Sequence, residues 1–230
     1  LIDTLALQEA KASSEIENIV TTQDELFQAD LFPEGPGSAA AKEVALYRDA
    51  LRLGFDQIRK TQGLITNRII IDMFRLLKGR DDGFRTQAGT ELKNDRTGET
   101  VYVPPQGPRE IETLMAGLEV FINDDDACDL DPLIKMAIIH HQFESIHPFP
   151  DGNGRIGRIL NVLYLTRTGL LDIPILYLSR HITGTKSDYY RLLQAVRDDG
   201  AWEDWVLYIL EAVAETSQTT LQLIEGLRAQ

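Results

Sequence analysis

From Pro108 to Asn123 the chain reads PREIETLMAGLEVFIN, and Ile111, Leu114, Met115, Leu118, Phe121 and Ile122 recur every three or four residues. That period puts them on one stripe of an α-helix. Asp131 followed by Pro132 makes an N-cap and first-turn pair, and it opens the run DPLIKMAIIHHQFESI. Thr66 opens TNRIIIDMFRLLKG in the same way, with Gly79 as its stop. Helical spacing also predicts elements over residues 4–20, 39–60, 155–168, 186–197 and 202–226. One region breaks the period. GFRTQAGTELKNDRTGETVYVPP has Thr and Val on two arms, Asp95-Arg96-Thr97-Gly98 at a tip and Pro104-Pro105 at its close. It reads as a β-hairpin over about residues 84–104. The stretch PEGPGS, residues 33–38, reads as a linker that would let the first helix move. The expected fold is mainly α, a helical bundle carrying one hairpin, with residues 1–32 set apart from residues 38–230.

Composition narrows the partners. The chain has 230 residues, 43% of them hydrophobic, enough to bury a proper core in one large domain or a domain plus an appendage. Its formal net charge is −13. Such a surface repels phosphodiester backbones and anionic membranes, which argues against nucleic acid and membrane as partners. A small anion could still bind where a few arginines gather. Cys128 is the single cysteine, so no disulfide can form within the chain, as expected of a reducing compartment. The start, LIDTLALQEAKASS, lacks a basic end and an apolar run, and no stretch is apolar enough to span a bilayer. Cytoplasmic residence is the expectation. The sequence does not begin with Met and reads as a fragment.

The chemistry concentrates in HPFPDGNGRIGR, residues 147–158. It follows one expected helix and feeds the N-terminus of the next, where unpaired N–H groups and a partial positive charge suit phosphates. Gly152 and Gly154 let backbone N–H groups turn toward an anion, and Asn153 can add a side-chain donor. Arg155 and Arg158 are three apart and share a helix face. Two guanidinium forks match a polyphosphate better than a single phosphate. Asp151 has no evident cation partner in sequence, and beside phosphates it would hold Mg²⁺. His147 is a candidate general base.

HPFPDGNGRIGR also matches the Fic-domain signature HPFx(D/E)GNGRxxR at every fixed position. The surrounding FESIHPFPDGNGRIGRIL, the hairpin GFRTQAG…YVPP and the later YYRLLQAVRDDG…WEDWVLYIL resemble Fic enzymes too. Upstream, Ser13-Ser14-Glu15-Ile16-Glu17-Asn18 is similar to the inhibitory pattern Ser/Thr-x-x-x-Glu-Gly/Asn of members with an N-terminal regulatory helix. The resemblance implies a Fic-type bundle with a flap hairpin and a protein adenylyltransferase that uses ATP and Mg²⁺. Asp151 would hold the metal. Gly152, Asn153, Gly154, Arg155, Gly157 and Arg158 would hold the phosphates, and His147 would deprotonate a Tyr, Thr or Ser hydroxyl of a target protein. Thr86, Gln87, Ala88 and Gly89 would line the flap near the nucleotide, and the target would dock on the hairpin edge through its backbone. Tyr189 and Tyr190 would contact the nucleoside, with Arg197 nearby. Glu17, on one face with Ser13, would pair with Arg158 and deny it to the γ-phosphate. Self-modification and a homodimer are left open by the same resemblance.

Other readings stand beside it. Phosphate orientation decides between AMP transfer and kinase chemistry. Removal of AMP, transfer of another phosphate-linked group and a nucleotide-gated binding module in which Glu17 never leaves are the alternatives. His140, Glu144 and His147 share a helix face, but their order fits neither H-E-x-x-H nor H-x-x-E-H, and His140 reads better as a satisfied core histidine. NDDDACDLD lacks the Gly and terminal Glu of a calcium loop and reads as a solvated connection. The tyrosine pair could equally be core packing.

Overall fold

The computed structural model describes residues 2–31, 38–94, 97–126 and 128–228. Among them the chain forms α1 (Ile2–Ile16), α2 (Gln23–Leu31), α3 (Ala39–Lys60), α4 (Asn67–Lys78), β1 (Leu92–Lys93), β2 (Thr100–Tyr102), α5 (Pro108–Asn123), α6 (Pro132–Ile146), α7 (Asn153–Arg167), α8 (Leu178–Gly184), α9 (Lys186–Asp199) and α10 (Trp202–Arg228). Residues 33–37 of the expected linker and Asp95 and Arg96 of the expected hairpin tip lie outside the described residues. None of the described helices is long and apolar enough to cross a membrane.

Helix α7 is the axle. Every residue from Arg155 to Leu165 is buried, as in a helix packed on all sides. Around it stand α6, α3, α4 and α1. Ile156, Ile159, Leu160 and Leu163 of α7 join Met73 and Phe74 of α4, Phe143 of α6 and Leu7, Ala10 and Ile16 of α1 in one continuous core. Gly54 permits a close crossing of α3 with α4 and α7. A Cβ there would stand 2.5 Å from Met73 Sδ and 2.6 Å from Leu163 Cδ1.

Helix ends follow the expected chemistry. Thr66 Oγ1 accepts from Ile69 N at 3.3 Å, and Gly79 closes α4 at φ 61°. Asp131 Oδ1 accepts from Leu133 N at 2.8 Å with Pro132 in the first turn of α6. Two boundaries differ from the sequence reading. The helix expected over residues 4–20 stops at Ile16, because Asn18 adopts φ 61° and Ile19 N turns back to Ser14 O at 3.0 Å. That left-handed position suits Gly or Asn. Among the described residues the hairpin's strands are also shorter than expected, pairing Leu92↔Tyr102 and Lys93↔Thr100, with Asn94 N bonded to Glu99 O at 2.9 Å beyond them. Helix α2 carries a signal that went unread. Thr22 and Glu25 form a reciprocal capping box, Thr22 N to Glu25 Oε2 at 2.8 Å and Glu25 N to Thr22 Oγ1 at 3.2 Å.

Candidate active site

The site is a corner between α6 and α7. His147 closes α6 in the left-handed region, φ 50° and ψ 58°, with its N–H bonded to Phe143 O at 2.9 Å. A residue other than glycine holds such a conformation only where its surroundings impose it, and the surroundings are visible. Arg85 Nε donates to His147 O at 2.9 Å, its Nη2 reaches Ile146 O at 3.5 Å and Pro105 O, and its backbone N–H donates to Pro148 O at 2.8 Å. Phe149 is buried and stacks on Phe74 at 4.0 Å. Asn153 then ties the turn. Its Oδ1 accepts from Phe149 N and its Nδ2 donates to Phe149 O, both at 2.8 Å. The Asn153 amide therefore shapes the loop. Gly152 caps α7 at φ 74° and brings no capping side chain, so the first amides of α7 suit an outside acceptor.

Burial lowers the His147 pKa to about 4, with the Glu144 carbonyl opposing. The imidazole is neutral at pH 7, and its Nδ1 has no hydrogen-bond partner among the described residues. A neutral ring is the form that accepts a proton. His140 differs. Its Nε2 is 2.9 Å from Tyr189 Oη and its ring stacks with Trp205, so it is packed in the core, although its Nδ1 too lacks a hydrogen-bond partner among the described residues.

The two arginines of α7 are buried, 1% and 2% exposed, and they converge on one carboxylate. Arg155 Nε donates to Glu17 Oε2 and Arg158 Nη2 to Glu17 Oε1, each at 2.9 Å. Ser13 completes the clasp, accepting from Arg158 Nε through Oγ at 2.7 Å and from Nη2 through its carbonyl at 2.9 Å. Burial opposes the charge on Arg158, yet Glu17 and Glu144 hold it protonated above an arginine's ordinary pKa. Gly154 makes room, since a Cβ there would stand 2.5 Å from Glu17 Oε1.

Asp151 is 59% exposed and pairs through Oδ2 with Lys78 Nζ at 2.6 Å, while its Oδ1 accepts from Gly152 N at 2.6 Å. Burial raises its pKa and Lys78 lowers it, with a net fall. Magnesium needs only one or two carboxylates when phosphates supply the remaining oxygens, and an exposed carboxylate that already attracts a cation fits that requirement. No group of three or more metal-ligating side chains occurs among the described residues, so a cation here would be held jointly with its ligand's oxygens.

Sequence reasoning missed Lys78, Glu43 and Arg85, each brought in from a distant segment. Glu43 Oε2 accepts from Arg155 Nη1 at 2.6 Å. Three expected residues sit elsewhere. Gly157 faces α6, where a Cβ would stand 2.7 Å from Glu144 Oε1 and 3.1 Å from Phe143 Cδ1, so its smallness serves helix packing. Tyr189 is buried among His140, Trp205 and Tyr208. Arg197 lies over the Tyr102 ring at 3.9 Å and donates to Ser145 Oγ at 3.0 Å, so it fastens the flap. Thr86, Gln87, Ala88 and Gly89 are exposed, directly after the residue that bonds Pro148. Tyr190 is exposed and meets Tyr189 edge-on at 5.1 Å. Two clefts of about 480 and 500 Å³ lie away from this corner, by Lys135 and Arg167 and by His181 and Arg191.

Comparison with known proteins matches residues 57–165 to the Fic/DOC family and residues 1–56 to the Fic/DOC family N-terminal region. The chain belongs to the Fic/DOC family. It is 30% identical over 152 residues to the Protein adenylyltransferase Fic of Drosophila virilis, covering 66% of this chain and 29% of that protein. The Aedes aegypti protein of the same name is 31% identical over 152 residues, with 66% and 28% covered. The chain thus spans about three-tenths of the length of the curated relatives it matches. A Fic family protein from Desulfovibrio desulfuricans shares the fold, with a TM-score of 0.78, 22% identity, and 95% of this chain and 65% of that one covered.

Proposed function

We propose that the chain is a protein adenylyltransferase held inactive by Glu17. The relatives named protein adenylyltransferase support the reaction class. The observation that carries the reading is that one carboxylate is bonded to both arginines of the anion loop. An acid bound there occupies the place of a second anion, and a polyphosphate is the anion two converging guanidinium forks fit.

With Glu17 withdrawn, Arg158 and Arg155 bind the β- and γ-phosphates of ATP and leave the α-phosphorus facing the corner. Asp151 would hold Mg²⁺, which supplies charge neutralisation to the phosphates when bound. The neutral His147 imidazole takes the proton of a target Tyr, Thr or Ser hydroxyl. The freed oxygen bonds the α-phosphorus, the bond from that phosphorus to the bridging oxygen breaks, and pyrophosphate leaves. The protein's work is positioning and charge stabilisation. The exposed flap edge at Thr86–Gly89 and β1 would register the target's backbone. The free Cys128 accords with residence in a reducing compartment such as the cytoplasm.

Labelled ATP tests this. Glu17→Gly raises covalent transfer of α-label to protein roughly 10- to 100-fold, as expected for freeing two charge-assisted donors. His147→Ala in that background lowers it about 1,000-fold, the worth of a general base. Label arriving only from the γ-phosphate makes the protein a kinase. Bound ATP with no label on protein leaves a binding module.

A further inference from the structure

Arg155 has two acidic partners, and they sit on elements of different standing. Its Nε goes to Glu17, just beyond the end of α1, and its Nη1 goes to Glu43 in the second turn of α3 at 2.6 Å. Its remaining nitrogen, Nη2, lies 3.5 Å from where a Cβ on Gly152 would stand. The third arm thus lies under the glycine turn. Helix α3 is built into the core by Ala41, Val44, Tyr47, Ala50, Leu51 and Ile58, so Glu43 stays when Glu17 leaves. Among the described residues Arg158 has no such second anchor, since its side-chain hydrogen bonds go to Ser13 and Glu17. Glu43 also lies 3.9 Å from Lys78 Nζ, which itself pairs with Asp151. The acids and bases therefore alternate from Asp151 through Lys78, Glu43, Arg155 and Glu17 to Arg158.

We infer that Glu43 is a positioning residue that holds the Arg155 guanidinium by Nη1, so that Nε and Nη2 are presented to the phosphates once Glu17 is withdrawn. Glu43 touches no substrate in this scheme and acts through Arg155. A fork already held in place loses less side-chain freedom on binding an anion. The opposite role for the same contact is that Glu43 is a second inhibitory acid, competing with the nucleotide for Arg155. The two roles predict opposite signs.

The inference rests on the proposed function, and the test separates them by reading binding and not transfer. Affinity for a non-hydrolysable ATP analogue with Mg²⁺ is measured by calorimetry on Glu17→Gly, Glu17→Gly/Glu43→Gln, Glu17→Gly/Arg155→Gln and the triple variant. Thermal melts of each confirm folding. Glu43→Gln weakens binding about tenfold in the Glu17→Gly background, the order expected for loosening one charged hydrogen bond. The same change has no effect once Arg155 is Gln. A merely structural contact to Lys78 would cost the same in both backgrounds and overturn the inference. Tighter binding in Glu17→Gly/Glu43→Gln overturns it in favour of a second inhibitory acid, and unchanged binding overturns it outright. Binding without α-label transfer refutes adenylylation while leaving Glu43's role standing. Absence of binding in Glu17→Gly refutes both.

Discussion

Two elements flank the corner at His147, and they are fastened in opposite ways. Helix α1 reaches it from one side through Ser13 and Glu17, bonded to the guanidinium groups of Arg155 and Arg158. The base of the flap reaches it from the other through Arg85, bonded to the carbonyls of Ile146, His147 and Pro148 by side chain and backbone. The groups α1 holds are those a polyphosphate would also seek. The groups the flap base holds are main-chain acceptors that an anion would avoid. Competition can therefore displace the first set of contacts and cannot displace the second. On the proposed function one side is a switch and the other is scaffold, by the chemistry of what each one touches.

The largest effect should come from breaking the scaffold. Arg85 is 4% exposed, and Arg85→Ala would leave buried carbonyls without a donor beneath a left-handed residue. A loss of about 4 kcal/mol is expected from several charge-assisted bonds and the unsatisfied groups left behind. At this chain length that lowers the melting temperature by roughly 8 to 16 °C. Nucleotide affinity in a Glu17→Gly background should fall with it. A melt unchanged within 2 °C, as an order of magnitude for surface substitutions, would show that His147 holds its conformation without the flap.

The switch side has a proton dependence that the scaffold side lacks. Glu9 of α1 is buried and accepts from Ser179 N of α8 at 3.1 Å and from Ser179 Oγ. Burial raises its pKa from 4.5 to about 7, against the opposing pull of Ser179, Arg158 of α7 and Tyr47 of α3. A carboxyl raised in the folded state stabilises fully below 4.5 and loses that contribution as pH rises through about 7. The gap is worth about 3 kcal/mol. Glu144 shifts in the same direction, while the lowered pKa values of His140, His141 and His147 favour the folded state above 6.5. The clean measurement is thus a difference. Glu9→Gln should gain on the parent chain between pH 5 and pH 8, by roughly 6 to 12 °C in melting temperature. A difference that stays flat with pH would mean α1 docks without a buried charge to suppress.

What was legible in the sequence follows the same division. His147, Asp151, Gly152, Gly154, Arg155 and Arg158 lie within one short run, so their joint chemistry could be read by eye. Glu17 could be read because the run Ser13–Asn18 resembles the inhibitory pattern of family members with an N-terminal regulatory helix. Arg85, Glu43 and Lys78 could not, since each meets the corner from a separate element and nothing in their own neighbourhoods marks them. Helix periodicity found α3, α4, α5, α6, α9 and α10 because each buries a stripe or a whole surface. It overran α1, whose end is set by the φ of Asn18 and not by hydrophobic spacing. The inward placement of Tyr189 and Gly157 could not be read either. Position near a binding motif says nothing about which side of a helix faces the core, and both face inward.

The smallest expected effect sharpens the scaffold side most finely. Tyr102 Oη donates to Ser145 O at 3.0 Å, and the Tyr102 ring lies under Arg197. Tyr102→Phe removes the hydrogen bond and keeps the ring, so about 1 kcal/mol of flap attachment should go while the cation–π contact remains. Global melting should move by no more than about 4 °C. The effect should instead concentrate in the strands themselves, because a locally weakened attachment opens locally. Amide exchange at residues 92–93 and 100–102 should quicken about fivefold, with no change at α1. Arg197→Gln tests the other half of the clasp, and the double variant should exceed either alone because both contacts share one ring. Faster exchange at α1 as well would erase the distinction between the two sides, since loosening the flap would then loosen the helix proposed to compete with the anion.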